Sequence, residues 1–114
     1  MASVSKRKRL MVYDKNDGKC VYCDKTLKSS EEVGYNSPDV FEVDHLNPKS
    51  KGGSLSDYKN LVPSCKRCNM AKGPQFLMRW LEKVDNRIIE AEQEIKWLKK
   101  VSKNINKRFR KSNG

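Results

Sequence analysis

The sequence predicts an α+β fold: a small stapled core of two strands and a short helix, followed by one long amphipathic helix. Three observations carry that expectation. Two Cys-x-x-Cys pairs stand at Cys20/Cys23 and Cys65/Cys68, a β-branched and aromatic run at Val40–Leu46 is answered by a short apolar run from Leu61, and a heptad stripe follows Pro74. The chain has 114 residues, 36% of them hydrophobic and 34% charged. One domain of that make-up buries too little apolar surface to be secure alone, and a bound metal is the natural supplement. The expected division is residues 1–74 for the core and 75–114 for the helix with its polar tail.

In chain order, residues 1–19 read as a basic arm that ends in the turn Asn16-Asp17-Gly18. Cys20-Val21-Tyr22-Cys23 follows as one half of a metal knuckle. Residues 24–39, with Gly34 and Asn36-Ser37-Pro38, read as loop or short helix. Val40–Leu46 is a strand that stops before Asn47-Pro48, the loop Lys49–Ser54 has turn chemistry, and Leu61-Val62-Pro63 returns as the second strand into Cys65. Lys66–Lys72 suits a short helix closed by Gly73-Pro74.

From residue 75 to about 109 a single helical pattern runs. Leu77, Leu81, Val84, Ile88, Ala91, Ile95 and Leu98 alternate spacings of four and three, a coiled-coil seam that continues less perfectly through Ser102, Ile105 and Phe109. At ~1.5 Å per residue this helix spans roughly 50 Å, against a radius of gyration of ~11 Å for the core, so the core does not cover the stripe. With Leu81 at an a position, parallel pairing sets Arg87 against Glu92 and Glu94 against Lys99. A homodimer through the C-terminal helix is therefore expected, its basic end from Lys99 to Lys111 left for a nucleic-acid backbone.

A net charge of +11 and a pI near 9.6 favour a polyanionic partner, because lysine and arginine displace counterions from phosphates. No run approaches the ~20 apolar residues of a membrane span, and the basic Lys6-Arg7-Lys8-Arg9 leads into no apolar signal core. The chain thus reads as soluble and cytoplasmic, with no membrane partner. In a reducing compartment paired Cys-x-x-Cys motifs favour metal thiolates over disulfides, and four thiolates suit structural zinc with no open position. An iron centre and disulfides are the alternatives.

His45, the one histidine, follows Asp44 directly at the end of the first strand. With Pro48, Gly52-Gly53, Asn60-Leu61 and Cys65-x-x-Cys68-Asn69-x-x-Lys72-Gly73, residues 20–73 resemble the HNH endonuclease family, in particular its cysteine-bearing branch with the ββα-metal fold. Asn69 stands where many members have histidine, which makes this an H-N-N variant.

The resemblance implies a DNA endonuclease that hydrolyses phosphodiester bonds to 3′-hydroxyl and 5′-phosphate ends. His45 is then the general base, Asp44 and Asn69 the protein ligands of one divalent ion, and Asn60 the residue that ties the loop down by backbone hydrogen bonds. Oxygen ligands suit Mg²⁺ or Mn²⁺ better than zinc. Neighbouring residues of an ideal strand point to opposite faces, so the strand is expected to end or bulge at Asp44-His45. Lys72, Lys66, Arg67, Lys49 and Lys51 surround the motif as candidate phosphate contacts, and Glu42 reads either as orienting the site or as an exposed strand residue. Homing, restriction and phage DNA processing all use such a core. Two other classes compete: a non-catalytic zinc-binding nucleic-acid module, which has no need of Asp44-His45 with Asn69, and a coiled-coil adaptor, which leaves the motif unexplained.

Overall fold

Ser5 starts the first element of the computed structural model, which describes residues 4–110. Its hydroxyl accepts from the Lys8 amide at 3.2 Å and caps helix α1, Lys6–Asp14. The basic arm expected here is thus a helix, built from lysine, arginine, leucine and methionine, which lose little on entering one. Only Val12 on it is buried. Lys15, just beyond, donates to the carbonyls of Tyr58 and Leu61 at 2.8 and 2.7 Å, so part of the basic segment is structural.

Asp17 and Gly18 turn the chain with positive φ, after which Lys19 bridges to Thr26 around the first cysteine pair. Helix α2, Ser30–Val33, is one turn with a complete capping box: Ser29 accepts from the Glu32 amide and Glu32 reaches back to Ser29. Strand β1, Phe41–His45, and strand β2, Leu61–Cys65, form an antiparallel pair in unbroken register from Phe41↔Cys65 to His45↔Leu61. β1 ends at His45 without a bulge, so its side chains keep strict alternation through the Asp44-His45 pair. Helix α3, Lys66–Lys72, follows β2 with no intervening loop, because Cys65 ends the strand and caps the helix, its Sγ accepting from the Cys68 amide at 3.4 Å. Gly73, at φ +59, closes it.

The buried apolar set is small: Val12, Leu27, Val40, Leu61 and Val62, with Cys20 and Cys65 at its centre and Tyr13, Tyr22 and Phe41 packed around them. The α+β expectation holds, with a two-stranded sheet, helices and a long C-terminal helix. The chain divides into two compact units, Met1–Met78 and Arg79–Gly114. The second is the body of helix α4, Leu77–Ile105, with a π-helical turn at Asn106–Arg110. No residue of α4 is buried, and Ile88, Ile95 and Leu98 of its apolar stripe stay about half exposed. No described helix is long and apolar enough to cross a membrane.

The loop between the strands folds back on itself at Gly52-Gly53. Gly52 is left-handed at φ +88 with open space around it, whereas a Cβ on Gly53 would lie 1.7 Å from the Asn47 carbonyl oxygen. Gly52→Ala is therefore expected to cost about 1 kcal/mol from backbone strain, and Gly53→Ala more, about 2 kcal/mol or above, because backbone must shift. Urea denaturation of the two variants side by side checks the order.

Candidate functional site

Four sulfurs meet where the first knuckle docks on β2. The Val21 amide donates to the Pro63 carbonyl at 2.9 Å, and the Sγ atoms of Cys20, Cys23, Cys65 and Cys68 all lie within 4.8 Å of one another. Cys23 and Cys65 are 3.9 Å apart, and all four thiols are free. A tetrahedral ion with Zn–S of about 2.3 Å places its sulfurs roughly 3.8 Å from each other, so the cluster fits such an ion with little movement. Burial pushes the Cys20 thiol up, but amide hydrogens, those of Cys65, Cys23 and Tyr22 foremost, outweigh it and bring the pKa down to about 7. Cys68 and Cys65 are pushed up, by burial first and also by the charge of Cys20. The thiolate thus forms most readily at Cys20, and a divalent ion would favour it at Cys65 and Cys68 as well.

Strand alternation sends Glu42 and Asp44 to the side where α3 packs. Asp44 is 6% exposed, and its Oδ2 accepts from the Tyr22 hydroxyl and lies 3.3 Å from Lys72 Nζ. Lys72 also donates to the His45 carbonyl at 2.9 Å. Burial, then the hydrogen bond to Asp44, pushes the Tyr22 phenol well up, so it stays a donor. Asn69 Nδ2 donates to Glu42 Oε1 at 2.9 Å, and Lys66 Nζ stands 3.9 Å from Glu42 Oε2. A carboxylate only accepts, so Glu42 fixes which way the Asn69 amide points. Each of the two expected ligands is thereby held by one end: Asp44 through Oδ2, Asn69 through Nδ2. The Oδ1 atoms of both have no hydrogen-bond partner among the described residues. Carboxylate and amide oxygens are the donor type that hard divalent ions take.

His45 lies on the opposite face, against the loop. Its Nε2 is 3.1 Å from the Leu55 carbonyl, which has no proton to give, so Nε2 carries the hydrogen, and in the neutral ring the lone pair is left on Nδ1. Asn60 spans that loop: its Oδ1 accepts from the Asn47 amide at 2.9 Å, and its Nδ2 donates to the carbonyls of Asn47 and Ser54 at 2.9 and 2.7 Å. The structure thus brings Asp44 and Asn69 to one side of β1 and His45 to the other, with the loop held by Asn60.

Lys72 is a correction. Expected among the phosphate-gripping lysines, it is fully buried, because a lysine three residues after Asn69 shares its helix face and points at Asp44. Lys66 is committed to the Tyr35 carbonyl at 2.9 Å and to Glu42. Arg67, Lys49 and Lys51 are exposed. Sequence reasoning missed Tyr22 as a partner of Asp44 and left the role of Glu42 open. The signal for Glu42 was its place two residues before Asp44, on the same strand face.

Residues 20–75 match the family model described as HNH endonuclease. Over 66 residues the chain is 41% identical to the Septu protein PtuB of Bacillus thuringiensis, an alignment that takes in 57% of this chain and 23% of that protein. The chain therefore spans about a quarter of the length of that relative.

Because ligand binding by four thiolates is folding free energy in so small a core, Cys20→Ser and Cys65→Ser are each expected to lose the bound metal together with cooperative melting. Elemental analysis and thermal denaturation of the two variants test this, and an unchanged melting temperature without metal contradicts it.

Proposed function

From the premise that residues 20–75 form an HNH endonuclease domain, we propose that the protein is a metal-dependent DNA endonuclease in which His45 is the general base. The single observation that carries the reading is the split of the Asp44-His45 pair across β1, with Asp44 and Asn69 on one side and the Nδ1 lone pair of His45 on the other. In-line displacement at phosphorus needs a base beside the incoming water and a positive charge beside the leaving oxygen, on opposite sides of the phosphorus. His45 is the last residue of β1, so a phosphate at that strand end can be approached from both faces.

His45 Nδ1 takes the proton of the attacking water as its oxygen bonds to phosphorus. The bond to the 3′ oxygen breaks, that oxygen collects a proton from solvent, and 3′-hydroxyl and 5′-phosphate ends result. Leu55 keeps the imidazole from turning and holds its other nitrogen protonated. Asp44 and Asn69 would hold Mg²⁺ or Mn²⁺, which when bound polarises the phosphate and stabilises the leaving oxygen. Lys72 beside Asp44 lowers the net negative charge offered to that ion. Zinc is the proposed occupant of the four-sulfur site, where a closed shell leaves water no position and the ion is scaffold.

Arg67, Lys49 and Lys51 are exposed cations close to the motif in sequence and are the proposed backbone contacts. The half-exposed stripe of α4 supports pairing with a second copy, in parallel because Arg87–Glu92 and Glu94–Lys99 then both attract. Two cores in one dimer would reach both strands.

His45→Ala is expected to lower plasmid cleavage by about 100-fold or more while melting stays within a degree or two of wild type; full residual cleavage overturns the mechanism. For the helix, sedimentation at micromolar concentration is expected to give a dimer that Ile88→Asp with Ile95→Asp converts to monomer. A monomeric parent protein overturns the pairing and leaves a single-site nickase.

A further inference from the structure

A groove of about 820 Å³ runs beside β1, walled by α1, by residues 27–32 and by β1 itself, with Glu42 and Asn69 in its lining. None of its other walls takes part in the reaction just described. Phe41 forms an aromatic wall that Tyr13 meets edge-on, with ring centroids 5.4 Å apart at 78°, and the Arg9 guanidinium lies 5.2 Å over the Phe41 ring. Tyr13 is itself held, since Gly18 packs so close that a Cβ there would come within 2.6 Å of the hydroxyl. The wall is therefore built from side chains that already pack on one another.

The charge on offer is positive. Lys6, Arg9 and Lys28 line the groove with no salt bridge of their own among the described residues. Lys66 is a fourth cation in the lining and pairs with Glu42, Glu32 is hydrogen-bonded in the Ser29 cap but keeps its charge, and with Glu31 the four cations face three carboxylates, a net charge of +1. A flat aromatic and guanidinium surface ringed by cations has the chemistry of a base with its phosphates. A recess of this size is in the range of small-ligand sites, and bases stacked inside a duplex cannot enter it; an unpaired or extruded one can.

We propose that this groove receives an unpaired nucleotide of the strand to be cut, its base against Arg9 and Phe41 and its phosphates against Lys6 and Lys28. The proposal rests on the nuclease reading, because Asn69 belongs to both places and links the groove to the reacting phosphate. It narrows the substrate class to DNA that presents an unpaired or extruded base, such as a flap, a bubble, a frayed end or the underwound stretch of a supercoiled circle.

Fluorescence anisotropy with the full-length His45→Ala protein tests it, using labelled oligothymidylate, oligouridylate and a blunt duplex of equal length at matched salt. Oligothymidylate is expected to bind about fivefold or more tighter than the duplex. Arg9→Ala and Lys28→Ala, both with unchanged melting, are each expected to remove that preference. Equal or tighter duplex binding, or a preference that survives both substitutions, overturns the groove. Oligouridylate bound at least as tightly as oligothymidylate supports a base-and-phosphate groove, and a parent protein that then cuts no DNA sinks the nuclease reading while leaving the groove. Plasmid cutting without any single-strand preference does the reverse.

Discussion

Four cysteine sulfurs gathered within 4.8 Å set the conditions for everything else in the core. They join two segments that lie far apart in the chain, and they do so at positions that already do something for the backbone. Cys65 ends β2 and caps α3, so the sulfur that holds the cluster also fixes where strand becomes helix. Cys20 and Cys65 sit at the middle of an apolar set of only a handful of side chains. A core that small is marginal by area alone, and an ion in a four-thiolate site would supply folding free energy that the apolar contacts lack.

From that staple the order passes to the strand end through one phenol and one ammonium. Tyr22, inside the first knuckle, donates to Asp44, and Lys72, on the last turn of α3, touches both Asp44 and the His45 carbonyl. A lysine with no exposed surface is costly to bury unless its charge is matched, and the match here is the carboxylate it holds. The same ion pair that joins α3 to β1 also engages one oxygen of Asp44, its Oδ2. Glu42 does the corresponding thing to Asn69. On the far face Leu55 and Asn60 do it for His45 and its loop.

Much of this was legible because it rests on short-range pattern. β1, β2 and α3 follow from a β-branched run, an apolar return and a Gly-Pro stop, and the cysteine spacing announced the cluster. Helix α1 was not legible, since a single buried residue, Val12, makes no stripe to read. The capping box at Ser29–Glu32 was written in the sequence, yet a one-turn helix with no buried residue leaves no periodicity to draw attention to it. Lys72 failed for a different reason. Composition counts every lysine as surface charge, and only the register of α3 against β1 reveals that this one faces a carboxylate. The Asp44-His45 pair was expected to force an end or a bulge; the strand simply ends there, and the two side chains part company across it.

That parting is the centre of the functional account, because it assigns a proton acceptor to one side of a phosphodiester and a cation to the other. The chemistry leaves a signature in the ends it makes. The most direct measurement is whether DNA ligase reseals, with no prior end treatment, the circles that the purified protein nicks in the presence of Mg²⁺ or Mn²⁺. Hydrolysis by water activated at His45 gives 3′-hydroxyl and 5′-phosphate ends, and the account predicts resealed circles. Nicks that stay open until a kinase or phosphatase repairs their ends, or plasmid left supercoiled with both metals, would contradict it.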